Sequence, residues 1–238
     1  FIVSAKNSYL DKTSQTVYKT ILNGNDLPYT YNDIYGKISL NSSNGSKVNF
    51  FGFNFTDDVI NYKSISNFGW DSYGGGVNFV VIPGKSPVLI EGNIAYSDYT
   101  AKLEEQNNPD RMSSINGFNA GFAFTYFLGK NSLKYGIEML GFKTVFDYTK
   151  SNGIHMSQID NTTELGAYIK YKAQFDKLIF EPSFRVQAYA SLGEVSPEPR
   201  LAMKYNVTDW FRLKAATGMY SQNLIAANSD RDVVNLFY

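Results

Sequence analysis

Hydrophobic and polar residues alternate along much of the chain with a period of two. In the segment 200–219 about one residue in two is apolar, and the positions between include the cations Arg200, Lys204, Arg212 and Lys214. Successive side chains of a β-strand leave the backbone in opposite directions. The segment therefore predicts two strands, joined at 206–209, with one apolar face and one charged face.

Three further segments, 133–145, 163–174 and 178–188, repeat this pattern. The charged residues on their polar faces include Glu138, Glu164, Lys170, Lys172, Glu181 and Arg185. Turned toward lipid, each Lys or Arg near the bilayer midplane would cost about 2–4 kcal/mol, against a typical total stability of about 5–15 kcal/mol. The charged faces are therefore expected to line an interior, and the apolar faces to contact lipid.

Short turn signals and long polar stretches follow one another along the sequence. The predicted hairpin turns lie at 42–45, 83–86, 129–131, 175–177 and 206–209, and the long polar stretches at 7–28, 56–69, 98–115, 147–162, 191–198 and 222–238. The runs between them give about eleven strands, most of roughly 9 to 13 residues, close to the 9 to 11 that a tilted strand needs to cross hydrocarbon. A meander with short connections at one end and long ones at the other is typical of outer-membrane β-barrels.

Three positions interrupt the regular pattern. The apolar parity shifts between Phe50 and Phe51, which predicts a bulge or a different strand register. Pro182 lies within a predicted strand although it cannot donate to a ladder, so a bulge or a local distortion is expected there too. Lys143 falls on the lipid side, but near the end of its strand, where its ammonium group reaches the interface.

Composition narrows the classes of function. The 238 residues carry 22 Lys and Arg against 22 Asp and Glu, so the broad positive charge of nucleic-acid-binding proteins is missing. The absence of cysteine excludes disulfide scaffolds and thiol nucleophiles, and the single histidine, His155, has no partner at metal-ligand spacing, so no cofactor or metal is predicted. The glycine run 74–76 lacks the Lys-Ser/Thr and helix of a phosphate loop; it predicts a strand close to another backbone.

The segments "SPEPRLAMKYNVTDWFRLKAATGMYSQNL", "FEPSFRVQAYASLGEVSPEPR" and "NSDRDVVNLFY" resemble TonB-dependent outer-membrane receptors of Bacteroidetes-type bacteria. The resemblance covers most of the chain, and 198–221 is its most specific part. It implies a transmembrane antiparallel β-barrel of about 22 strands, filled by a separate plug domain. Residues 1–238 are thus expected to form one partial barrel domain, roughly half of the barrel; no plug or TonB-contacting box is recognised in them.

The resemblance also implies active import. Such receptors take up siderophores, vitamins, glycans or peptides with energy passed through TonB, so no catalytic residue is expected. The implied partners are outer-membrane lipid, the plug and TonB, and a surface lipoprotein is a further partner that the sequence leaves open. The candidates for lining the lumen or contacting the plug are Lys170, Lys172, Arg185, Arg200, Lys204, Arg212, Lys214, Glu138, Glu164 and Glu181.

Two alternatives to active import remain open. The interior could be the water-filled lumen of a passive, porin-like channel, where the inward cations would attract anionic solutes instead of pairing with a plug. The chain could also belong to a structural or adhesive surface barrel, or to an outer-membrane hydrolase. His155 alone does not supply the acid–base cluster that a hydrolase needs.

Overall fold

The computed structural model describes residues 1–17, 27–62, 66–149, 152–222, 226–229 and 232–237. The described strands are β1 (Ile2–Asn7), β2 (Tyr29–Asn41), β3 (Lys47–Tyr62), β4 (Ser66–Val81), β5 (Val88–Glu105), β6 (Asn108–Leu128), β7 (Asn131–Thr149), β8 (His155–Gln174), β9 (Leu178–Tyr189), β10 (Glu194–Asn206), β11 (Arg212–Gly218), β12 (Ala226–Ser229) and β13 (Asp232–Phe237). The described residues also include one helix, α1 (Leu10–Val17). No helix in these ranges has the length and apolar character of a membrane span.

Strands β1 to β11 form one antiparallel sheet in which each strand pairs with the next along the chain. The edge strands are β1 and β11, and they do not pair with each other in the described part of the chain. Strands β12 and β13 form a separate hairpin, and β13 lies against β5, β6 and β7. The predicted all-β meander of about eleven strands is therefore confirmed.

The connections agree with the prediction at only one end of the sheet. All five predicted hairpin turns separate consecutive strands. Most predicted long stretches, however, are not loops: β5 ends at Glu105 and β6 begins at Asn108 and runs for 21 residues. At about 3.3 Å per residue such a strand is about 70 Å long, more than the roughly 30 Å hydrocarbon core requires even with tilt. The ladders continue past the membrane because backbone pairing does not need an apolar face.

Two of the predicted polar stretches contain structure of their own. The stretch 7–28 includes α1, whose eight residues, LDKTSQTV, contain only two apolar ones, Leu10 and Val17. Ser14 of α1 is fully buried and its Oγ accepts the backbone N–H of Leu27 at 2.9 Å. The stretch 222–238 contains β12 and β13. Residues 18–26, 223–225, 230–231 and 238 lie outside the described residues.

The apolar face of the sheet is exposed. Its large side chains include Ile94, Phe122, Ile137, Ile169 and Leu213, and Ile137 is 63% exposed. On β6 the apolar row runs from 118 to 128, about the 9 to 11 residues that span hydrocarbon. Tyrosines flank this band, as in membrane barrels. Those at the short-turn end are Tyr126, Tyr135, Tyr171 and Tyr205, and those at the opposite end are Tyr73 and Tyr96.

Lys143 lies at the border of this band that faces away from the short turns. Lys143 pairs with Asn116 and Asn161, and Asn116 pairs in turn with Asp98. These polar residues form a row across β5 to β8 directly beyond the apolar residues. The prediction that Lys143 lies where its strand leaves the apolar band is therefore confirmed.

The two predicted irregularities differ in outcome. The prediction of a bulge at Phe50 and Phe51 is wrong, because the pairing of β3 with both β2 and β4 runs through these residues without a shift. The apolar parity changes there because Phe51 lies on the polar face of the sheet. At Pro182 the register does not shift either, but the pairs between β8 and β9 stop at Lys170–Ser183 and resume at Ala173–Phe180. Pro182 thus interrupts one ladder locally, since it has no N–H to donate.

Candidate functional site

The register places all ten predicted site residues on the face opposite the apolar one, which we call the polar face. Residues that pair across neighbouring strands share a face. The pairs Lys170–Ser183, Arg200–Ser183 and Lys204–Lys214 connect β8 to β11 in this way. The alternation along each strand adds the remaining candidates, which are Glu138, Glu164, Lys172, Glu181, Arg185 and Arg212.

Arg185 on β9 connects three other side chains of the polar face. Its Nη1 donates to Glu138 Oε2 on β7 at 2.6 Å, and its Nε and Nη2 donate to Gln187 Oε1 at 3.0 and 2.6 Å. Its Nε also lies 4.0 Å from Glu198 Oε2 on β10. To reach β7 the guanidinium passes over β8 at Gly166, where a Cβ would lie 2.6 Å from Arg185 Nη2. The missing side chain at Gly166 therefore leaves room for the bridge from β9 to β7.

Glu198 is the most enclosed charged group of the polar face, at 2% exposure. One carboxylate oxygen accepts Nη2 of Arg200, and the other accepts the backbone N–H of Ser221 at 2.8 Å and its hydroxyl. The Tyr189 hydroxyl donates to Ser221 Oγ at 2.8 Å. A buried carboxylate needs such partners, because an unpaired charge would carry its full desolvation cost.

These contacts turn the chain onto the polar face after β11. The last backbone bond in line with β11 runs from Met219 N–H to Pro199 O at 3.0 Å, after which Ser221 donates to the Glu198 side chain instead. The Arg200 guanidinium covers the Tyr220 ring at 4.4 Å. Pro197 and Pro199 of β10 have no N–H to offer a neighbouring strand, so the ladder cannot be continued fully here.

Sequence reasoning missed Glu198, which it assigned to a polar connection at 191–198. The spacing of two from Ser196 through Glu198 to Arg200 could have placed it on the polar face. It also missed the pair of Lys134 on β7 with Glu91 on β5, whose Nζ and Oε2 lie 2.5 Å apart. That pair reaches across the intervening strand β6, and such a contact depends on a register that the sequence does not reveal.

Acids balance the cations in the middle of the polar face. Lys170 Nζ lies 2.5 Å from Glu181 Oε1, and the Gln187 amide donates to Glu164 Oε2 at 2.9 Å. Together with Glu138 and Glu198, these carboxylates engage the cations and amides around them. Glu198 and Glu91 also belong to the polar face, in addition to the three acids that the sequence predicts there.

Four of the predicted cations have no ion-pair partner among the residues that the structure describes. These four, which we call the basic patch, are Lys172, Lys204, Arg212 and Lys214. In the described part of the chain none of them has a carboxylate within 4.0 Å. They lie toward the short-turn end of β8, β10 and β11, and Lys204 is directly opposite Lys214. Like charges in that arrangement destabilise a sheet.

A cavity of about 740 Å³ lies along the polar face. Phe51, Phe53 and Tyr99 line one part of it, and Arg185 and Glu198 line another. The glycine run 74–76 lies in β4 beside these aromatic rings. A Cβ on Gly74 would lie 2.6 Å from Tyr96 O and 2.9 Å from the Phe53 ring. The predicted close approach to another backbone is confirmed, and it is the neighbouring strand β5 that is approached.

Acidic and aromatic side chains gather beyond the apolar band, at the long-connection end. The Tyr29 hydroxyl donates to Asp57 Oδ1 at 2.9 Å, and this hydrogen bond raises the pKa of Tyr29 above its ordinary value. Burial, and then the neighbouring carboxylate of Asp71, raise the pKa of Asp58, while Lys102 lowers it. These residues lie outside the membrane band, so their charge states respond to the external medium.

The described residues in this region contain no group of three acidic or histidine side chains suited to a metal ion. His155 is exposed, with Nδ1 3.3 Å from Asp147 Oδ1 and 3.2 Å from Thr149 Oγ1. It lies at the start of β8 at the long-connection end, far along the strand from the charged residues of the polar face.

Comparison with solved structures identifies the architecture. The ferric citrate transporter FecA, in its unliganded form, matches with a TM-score of 0.57 and 16% identity, over 80% of this chain and 36% of that one. The outer membrane transporter YddB from Escherichia coli matches with a TM-score of 0.51 and 7% identity, over 86% of this chain and 36% of that one. The fold is that of an outer-membrane β-barrel.

The remaining comparisons gave weaker matches or none. The translocator domain of the autotransporter NalP from Neisseria meningitidis reaches a TM-score of only 0.37, at 13% identity over 85% of this chain and 77% of that one. No protein-family model and no curated protein matches the chain. The chain spans about 36% of the length of the two transporters. The chain has the multi-pass fold of outer-membrane β-barrels, and its apolar face is exposed.

Proposed function

We propose that this chain is part of the barrel of an active transport receptor in the outer membrane. In this function a bulky solute enters through a barrel that a plug domain fills, and TonB supplies the energy. The observation that carries the proposal is that a sheet with one apolar and one charged face shares its fold with two outer-membrane transporters over 80% and 86% of the chain. No bond-making step is involved, so the protein is proposed not to be an enzyme.

The charged polar face supports a barrel whose lumen another domain fills. The charges in its middle are held in ion pairs, as suits a rigid wall against which another polar body rests. The ten predicted residues are the proposed lumen-lining or plug-contacting set. The proposal includes a Bacteroidetes-type origin, as the sequence motifs indicate, a solute among siderophores, vitamins, glycans and peptides, and a surface lipoprotein as a further partner.

Uptake by cells that carry the intact protein tests this function. Uptake of its solute should stop when TonB is deleted or when the proton-motive force is collapsed. The amount of the protein in the outer membrane should stay unchanged. Uptake that continues under both treatments would contradict active transport.

The second candidate is a passive, porin-like channel, which the unbalanced basic patch favours. In an open lumen these cations would attract anions and set ion preference. The purified intact protein, reconstituted in a planar bilayer, separates the two functions. A steady, anion-selective conductance would support the channel, whereas a bilayer that shows no conductance would support a plugged barrel.

A further inference from the structure

Several side chains on the polar face of β5, β6 and β7 are buried toward the long-connection end. They are Ala101, Leu103, Ser113, Phe142 and Thr144, and Ser113 is only 1% exposed. The register of these strands puts all five on one face of the sheet. A single sheet buries one of its faces only where another element packs on it. A second layer therefore covers the polar face at this place.

The hairpin of β12 and β13 supplies this layer, because β13 contacts β5, β6 and β7. On β8, the next strand, the residues level with the buried ones are Met156, Gln158 and Asp160, and all three are exposed. The buried positions thus lie on the three strands that β13 contacts, and the exposed positions lie on the strand beyond them.

The start of the same chain segment is fixed at Glu198. Ser221 donates its backbone N–H to one Glu198 carboxylate oxygen at 2.8 Å, and its hydroxyl donates to the same oxygen. Three strand spacings of about 4.8 Å, about 14 Å in all, separate β10 from β7. The chain therefore crosses the polar face between Ser221 and β13. We call the chain from Ser221 to β13 the strap, and the two bonds from Ser221 to Glu198 the latch.

The strap lies between the cavity and the long-connection end. Ser221, at its start, lines the cavity, as do Tyr99 on β5 and Ile115 on β6. The buried residues lie farther along the same strands, with Leu103 beyond Tyr99 and Ser113 beyond Ile115 toward the long-connection end. A solute that comes from that end meets the strap before it reaches the cavity.

We propose that the strap is a gate over the cavity, and that the latch holds this gate closed. Release of Ser221 from Glu198 frees the strap to leave β5, β6 and β7, and the cavity then opens toward the long-connection end. The gate is made by the chain itself and lies on the polar face. The inference goes beyond the proposed function, because it concerns access to the cavity and not the source of energy.

Cysteine cross-linking in the intact protein tests the position of the strap. The chain has no cysteine, so Ser113→Cys can be combined in turn with a cysteine at each of positions 232–237 of β13. Because side chains alternate along a strand, a short bismaleimide should link position 113 best to every second of these positions. Ser114→Cys is the matched control, since its side chain leaves β6 on the opposite face, and it should form no link. Absence of links to position 113, or equal links to 114, would overturn the proposal.

Thiol labelling of the Ser113→Cys protein tests the latch. Its thiol lies under the strap and should react slowly with a membrane-impermeant maleimide. Ser221→Pro removes both donors of the latch and leaves the pair of Glu198 with Arg200 in place. It should speed the labelling about tenfold, the factor that corresponds to about 1.4 kcal/mol of lost closure. Ser221→Thr keeps both donors and should leave the rate unchanged; equal rates in the two variants would reject the latch.

Two more cysteines complete the test. Ala123→Cys lies on the polar face of β6 at a buried position away from the strap, and it should stay slow in both variants. If it accelerates as much as position 113, the effect is unfolding and the latch is rejected. Ser97→Cys lies in the cavity, and Ser221→Pro should speed its reaction with a bulky maleimide more than with a small one. Equal access of the bulky reagent with and without the latch would reject the gate.

These measurements need neither TonB nor an energised membrane, so the gate and active transport succeed or fail independently. Energised uptake together with an ungated cavity would leave active transport standing and reject the gate. A gated cavity without energised uptake would support the gate and reject active transport.

Discussion

At the scale of single residues, the enclosed carboxylate of Glu198 has the largest predicted effect. Glu198→Ala removes the acceptor of Arg200 and of Ser221, and it leaves the partly buried guanidinium of Arg200 without its carboxylate. We expect a loss of about 1–3 kcal/mol in the free energy of unfolding. Thermal unfolding of the detergent-solubilised intact protein measures it. The exposed Glu104→Gln serves as the control and should change little; an equal loss in both variants would argue against a special role for Glu198.

The carboxyl of Asp58 predicts a pH-dependent stability. Because the pKa of Asp58 is raised in the folded protein, folding favours its protonated form. Stability from this group is therefore present below the ordinary Asp pKa and is lost as the pH rises through the raised value. Asp58→Asn should raise the melting temperature at neutral pH, and the gain should vanish near about pH 3, where both states are protonated. A gain that stays constant across this range would contradict the assignment.

At the scale of elements, the close contact of β4 with its neighbours gives a sharp prediction. A Cβ at Gly74 would lie 2.6 Å from Tyr96 O, which is backbone and cannot move aside. Gly74→Ala should therefore cost about 1–3 kcal/mol, as overpacking does. Gly84→Ala is the matched control, because nothing lies within 4 Å of its Cβ position. Urea or thermal unfolding of both variants compares them, and equal stability would be evidence against the contact.

The elements also show where the sequence was informative. The alternation around Lys170 and Arg185, and the turn residues at 129–131, were enough to predict strands, faces and hairpins. The ends of β5 and β6 were not, because beyond the membrane the strand pairing continues through polar residues that resemble loops. α1 was missed for a related reason, since only two of its eight residues, Leu10 and Val17, are apolar and the others resemble a loop.

At the scale of the whole molecule, the two faces of the wall should differ in their access to lipid. Because the chain has no cysteine, single cysteines can be introduced for spin labels. A lipid-soluble quencher should reach labels at positions 169, 184 and 213 of the intact protein and should not reach labels at 170, 185 and 212. Electron paramagnetic resonance in reconstituted bilayers measures this accessibility. The opposite pattern would reverse the assignment of the faces and remove the basis for a transport role.

The site itself could be predicted only in part from the sequence. The ten candidates could be placed on one face because each strand alternates independently of its neighbours. Which of them are paired could not be predicted, since Glu138 reaches Arg185 across an intervening strand and Lys134 reaches Glu91 across another. Such contacts depend on register and curvature, which only the assembled sheet provides.

The passage of Arg185 over Gly166 has an evolutionary consequence. A Cβ at 166 would lie 2.6 Å from Arg185 Nη2, the mobile end of a long side chain, so a larger residue there would displace the guanidinium and not the backbone. The displaced guanidinium would lose part of its contact with Glu138. Among related barrels we therefore expect residues larger than glycine at 166 mainly where position 185 is not an arginine.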